Sequence, residues 1–241
     1  MGKSVVILSF FMLIAGGCGQ TTKKQAGVAI NETVSGQVES DSTVQSEYDN
    51  HPVENEEKNF RQIGIDEKIG NRTLKDYLSD KKIPQIFKDV FQQKQSIFED
   101  EEKTFPIIYT LSSTDKERHP FYFVLVTRTM WWADGMFAEG LGMEARKYVE
   151  SNTRQFLDYF LTETVLTSYD FKQWAKFTLY EILIDSDENL EELENTRNKM
   201  KKNCKGCSSE KIKMIDKFIE NMYAEYNEIQ RRNMEWEKNN L

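Results

Sequence analysis

Apolar positions change their spacing from one stretch of this chain to the next. Val5 to Ile14 is apolar at nearly every position, large apolar residues are sparse from Gly19 to Asn59, and they return at regular intervals from about Arg72. Leu74, Tyr77 and Leu78, followed by Ile86, Phe87, Val90 and Phe91, recur at three and four, which predicts two short helices parted near Pro84. FPIIYTL (105–111) and FYFVLVTRT (121–129) are rich in β-branched and aromatic residues, and the polar stretch between them closes on Pro120. That pattern predicts a β-hairpin with a long loop. A lone two-stranded ribbon is marginal in water, so at least one of its faces must pack on helices.

The rest reads as helix. Met143 to Phe160 predicts one helix, or two broken near Asn152. Residues 169–184 are apolar nearly all round, as in a buried central helix, whereas 189–202 carries a narrow stripe and belongs outside. A last helix begins near Ser209 and places Ile212, Ile215, Ile219, Met222, Tyr226 and Ile229 at alternating threes and fours, the pattern of a packed stripe. The expected fold class is α+β, mainly α: a helical bundle with one β-hairpin, formed by residues 60–241 as a single domain and preceded by a disordered tether.

The N-terminus has a different logic. Lys3, the apolar run and the small residues Ala15, Gly16 and Gly17 make a secretory signal pattern. The run is too short to span a bilayer, which takes about 20 apolar residues. With Cys18 directly after the small residues, the segment resembles the lipobox of bacterial lipoproteins. The resemblance implies removal of residues 1–17 and acylation of Cys18, palmitate included, by several chains, since one chain gives only marginal binding. Gly19 rather than Asp after the cysteine implies, by the enteric sorting scheme, an outer-membrane protein facing the periplasm. CGQTTKKQA is similar to lipoprotein starts in Bacteroidales, and residues 121–160 are similar to small lipoproteins of unknown function in that group. The second likeness assigns no site residue.

Composition narrows the partners. The formal charge is −8, and removing residues 1–17 takes away Lys3, leaving −9. An acidic exported chain is a poor phosphate-backbone binder, so no nucleic-acid partner is expected. In residues 19–59, three lysines stand against eight acids, a net of −5, with Tyr48 the one aromatic. A flexible linker over 18–59 follows, with a reach on the order of 35 Å. Within it Asp41-Ser42-Thr43 resembles a short O-glycosylation acceptor motif.

Several motifs invite chemistry. Once Cys18 is lipidated, Cys204 and Cys207 of NCKGCSSE are the remaining thiols, an even pair in an oxidising compartment. A disulfide fixing a turn between two antiparallel helices, with Gly206 easing the backbone, is the favoured reading, over free thiols or redox or metal chemistry. Only His51 and His119 are present, and His51 lies in the tether, so neither four cysteines nor two cysteines with two histidines can be brought together for structural zinc. No metal and no cofactor are expected. DSDENLEELENT (185–196) starts like a calcium loop, but Leu190 replaces the turn glycine and Thr196 the bidentate glutamate. Gly140-Leu-Gly142-Met-Glu-Ala145 fits a loose dinucleotide fingerprint without its strand, and reads as a flexible turn feeding a helix. His119 is the only histidine in the folded part that could serve a serine or cysteine nucleophile as base, and it is expected on the charged hairpin loop. Carboxylate pairs such as Asp134 with Glu139, or Glu163 with Glu181, are what an acid-rich chain yields by chance.

MWWADGMFAEGLG (130–142) remains. Trp131, Trp132 and Phe137 are candidate anchors for a partner, with Asp134 and Glu139 supplying charge, against core packing as the plainer alternative. The sequence therefore suggests a non-catalytic, lipid-anchored envelope protein that holds a basic protein partner, such as an immunity or inhibitor lipoprotein neutralising a toxin. The alternative is a glycan-binding or envelope-assembly accessory that stacks sugars on Trp131 and Trp132.

Overall fold

A computed structural model of the chain describes residues 61–186 and 190–240. The signal segment, Cys18, the linker, its glycosylation-like motif and residues 187–189 lie outside the described residues.

The described residues are mainly α-helical, with a single two-stranded antiparallel hairpin. β1 (Lys68–Ile69) pairs with β2 (Arg72–Thr73), Ile69 opposite Arg72. Gly70 between them has φ +62°, as a tight two-residue connection requires. Thr73 then caps α1 (Leu74–Ser79): its hydroxyl accepts from the Asp76 amide while the Asp76 carboxylate accepts from the Thr73 amide. α2 (Gln85–Phe91) follows Pro84, and α3 (Glu101–Thr104) is capped by Asp100. α4 (Pro106–Tyr109) runs into a 3₁₀ turn at Thr110–Ser112.

The hairpin expected over 105–111 and 121–129 is corrected. Both segments are helical: the first is α4 with its 3₁₀ turn, and the second lies in α5 (His119–Thr129). Pro106 and Pro120 sit in first helical turns, where a missing N–H costs nothing. Every residue from Phe121 to Met130 is buried, so no exposed face marks a period, and the pattern cannot separate a buried strand from a buried helix. Its threonines adapt to the helix, Thr127 Oγ1 donating to the Phe123 carbonyl and Thr129 Oγ1 to that of Val126.

The remaining helices follow the spacing more closely. α6 (Gly135–Ser151) and α7 (Thr153–Thr162) break at Asn152. α8 (Ser168–Asp185) is the buried central helix, with Trp174 fully enclosed, stacked 4.9 Å from Phe123 and donating from Nε1 to Thr127 Oγ1. α9 (Glu191–Asn203) runs antiparallel to α10 (Ser209–Asn240), with Arg197 facing Asp216 and the Tyr223 hydroxyl donating to Glu194. Ile215, Ile219 and Met222 of the α10 stripe are buried. Gly140 and Gly142 do not form a flexible turn; both lie inside α6. A Cβ on Gly140 would stand 2.8 Å from Phe105 Cζ, and one on Gly142 would stand 3.4 Å from the Phe177 carbonyl. They are small because α4 and α8 approach α6 closely there.

Cys204 and Cys207 are disulfide-bonded, with Cα atoms 5.2 Å apart, at the turn from α9 to α10, and Gly206 there has φ +81°. The bridge closes a very short loop, so it restricts the unfolded chain only modestly. Replacing both cysteines by alanine is expected to cost about 2 kcal/mol in urea unfolding, without changing helix content by circular dichroism.

Candidate functional site

The segment singled out by its tryptophans forms the corner between α5 and α6. Backbone amides of Trp131, Trp132 and Ala133 donate to the Arg128 and Thr129 carbonyls, which carries the helical path one turn past α5. Gly135 then takes φ +48° and redirects the chain into α6. Asp134 is the N-cap residue, but its side chain makes no capping bond and stays exposed.

The expected anchors are largely used by the fold. Trp131 is half-buried, and its indole N–H donates to Asp170 Oδ1 at 3.0 Å. The other oxygen of Asp170 accepts from the amide and hydroxyl of Thr167, so this carboxylate caps α8 and holds the corner at once. Trp132 is half-buried and packs against the core. Phe137 requires a correction: it is only 4% exposed and meets Phe105 edge-on, so it is a core residue with no surface to offer a partner.

What the corner does expose is different. Met136 and Met143 are 64% and 57% exposed, and Glu139 lies on the same open face of α6. Residues three and four apart share a helix face, so these side chains form one surface around Gly140. Phe105 lies over Gly140, and Tyr109, 53% exposed, meets Phe105 at 5.9 Å, which brings α4 to its edge. Met143 and Tyr109 were missed from the sequence. The spacing of 136, 139 and 143 was the available signal, hidden because this stretch has no apolar period before Gly135.

His119 is not on a loop. It is the first residue of α5, 4% exposed, and stacks between Tyr148 and Tyr159 with both ring centroids at 5.8 Å. Its Nε2 lies 3.1 Å from the Leu111 carbonyl, which can only accept, so Nε2 carries the proton. Nδ1 therefore accepts from the Tyr159 hydroxyl at 2.7 Å, and that hydroxyl accepts in turn from Gln155. Burial lowers the His119 pKa and raises those of Tyr148 and Tyr159. The imidazole is a packing and bonding element, and its hydrogen bonds among the described residues go to a tyrosine and a carbonyl, not to a serine or cysteine.

The other candidates are also placed. Glu163 accepts from the Gly70 amide at 2.7 Å and so ties the hairpin to α7. Glu181 has its pKa raised chiefly by burial, opposed by Arg146, with Asp185 and Glu139 adding like charge; Glu163 is not among the charges that act on it. Asp185 instead accepts from Arg146, while Asp187 and Asn189 of the calcium-like run lie outside the described residues. Surface clefts of about 380 Å³ around Asn152 and Arg154, and about 280 Å³ beside Trp132, have no histidine in their walls. Among the described residues, no group of histidine, cysteine and carboxylate side chains is arranged to hold a metal ion, and no helix is long and apolar enough to cross a membrane.

The buried imidazole makes stability depend on pH. Because the folded pKa is depressed below its unfolded value of about 6.5, the stabilisation is complete above that value. It is lost as pH falls below about 6.5 toward the lower folded value, since only the unfolded chain then binds the proton. Urea midpoints should fall over that interval, and His119→Gln, less stable at neutral pH, should flatten the slope; an unchanged slope would refute the assignment. Comparison with known proteins returned no matching family model, no matching characterised protein and no matching solved structure.

Proposed function

We propose that the chain is a non-catalytic, lipid-anchored envelope protein that holds a protein partner. The lipobox-like start supplies the anchor. The observation that carries the partner half of the reading is the α6 face, where Asp134 and Glu139 stay exposed beside Met136 and Met143. The chain's net negative charge favours a basic partner through electrostatic complementarity. Within this reading, an immunity or inhibitor lipoprotein that neutralises a delivered toxin is the preferred role. The glycan alternative needs two open indole faces, and no specific feature of Trp131 or Trp132, both half-buried, favours it.

Two measurements test the proposal. Cys18→Ser should release the chain from the membrane fraction of the producing cell; a variant that still sediments with membranes removes the anchor. Affinity capture by the full chain from envelope and secreted material, read by mass spectrometry, should retain one near-stoichiometric basic protein that is lost as salt rises. Retention of glycan with no protein would overturn the capture reading.

A further inference from the structure

Resting on the capture reading, we infer that the open face of α6 formed by Met136, Glu139 and Met143, with Phe105 packed over Gly140 and Tyr109 of α4 at its edge, seats a basic amphipathic helix of the partner.

Met136 and Met143 flank the place over Gly140 where Phe105 packs, so the apolar part is two long flexible side chains on either side of a half-buried ring. A patch of this kind suits the apolar stripe of an amphipathic helix. Methionine is polarisable and unbranched, so it can adapt to the side chains laid against it.

Charge selects the class of helix. The charged residues of α6 on or beside this face are Glu139, Glu144, Arg146 and Lys147, with Asp134 just before the helix. Lys147 is paired with Glu144 at 3.2 Å, and Arg146 is held by Glu150, Asp185 and Glu192. Asp134 and Glu139 are exposed carboxylates outside those pairs. The face therefore offers two thioethers and a phenol bordered by uncompensated negative charge. A helix with lysine or arginine flanking an apolar stripe matches both features; an acidic helix matches only one.

The test uses the full chain and a synthetic amphipathic helix of leucine and lysine, with a leucine and glutamate peptide of the same pattern as control. With nine methionines, the chain gives few and assignable methyl signals in NMR. The lysine peptide should shift the Met136 and Met143 methyls and leave buried Met200 and Met222 in place, while the glutamate peptide shifts neither. Asp134→Lys/Glu139→Lys and, separately, Met136→Ser/Met143→Ser should each weaken binding by about tenfold or more. Met136→Ser/Met143→Ser changes only exposed side chains and should leave thermal unfolding nearly unchanged; Asp134→Lys opposes the α6 dipole, so Glu139→Lys alone serves as the charge variant that keeps its stability. Equal affinity in either double variant, equal binding of both peptides, or shifts confined to Met234 would overturn the inference. If full-chain capture retains a partner whose yield ignores these substitutions, the face is wrong and protein capture stands. If capture retains no protein, the reading beneath it falls as well.

Discussion

A helix buried on every side has no solvent to satisfy its polar groups, and α5 is such a helix. From Phe121 to Met130 every residue is enclosed, so each polar side chain on α5 must find a partner within the protein. Those partners set the positions of its neighbours. His119 binds the 3₁₀ turn through the Leu111 carbonyl and α7 through Tyr159. Thr127 receives the Trp174 indole N–H and so fixes α8. Arg128 lies over the Phe91 ring of α2 and donates to the Arg61 carbonyl, and burial lowers its pKa to about 10. A misplaced neighbour would leave one of these groups buried and unmet, which costs more than the bond itself contributes.

Outside this core, cations are drawn into internal pairs. Arg118 bonds Asp80 and Asp115; amide and guanidinium donors hold Asp80 down at about 2, well below the usual carboxylate range. Arg146 joins α6, α8 and α9 through Glu150, Asp185 and Glu192, and Lys199 adds a further contact to Glu150. The more exposed of these, such as Lys199 with Glu150, contribute little stability, about 0–1 kcal/mol. Their larger consequence is for the surface field. In an acidic chain, pairing a basic residue with one carboxylate leaves other carboxylates uncompensated, and Asp134 and Glu139 are among those left open.

What could be read from the sequence was what its period encodes. The break at Asn152, the extent of α8 and the α10 stripe follow from three-and-four spacing and were placed nearly to the residue, although α8 is not buried all round and leaves Lys172 and Ile184 exposed. The strands were misplaced for two separate reasons. Phe121 to Thr129 has no polar face, so neither period stands out, and β-branched content then tilts the reading toward strand. Lys68–Ile69 and Arg72–Thr73 are too short to show alternation, and Gly70 was their one local signal. His119 looked exposed because its neighbours Lys116, Glu117 and Arg118 are charged; Arg118 itself is buried through its ion pairs, which sequence does not reveal.

The same limit applies to the candidate site. Paired tryptophans draw attention because their area can anchor a partner, yet that area is equally useful to a fold that must close a corner between two helices. Here the Trp131 indole N–H is bound by Asp170, whose second oxygen caps α8, so truncating Trp131 would loosen the start of α8 as well as the corner. Tryptophan is therefore used to close the corner, and the methionines of the next helix form the part that stays free. A face of thioethers around a glycine imposes little shape of its own, and its carboxylates act over distance. Such a face would select by charge first and by contour second, as the proposed docking of a basic helix requires.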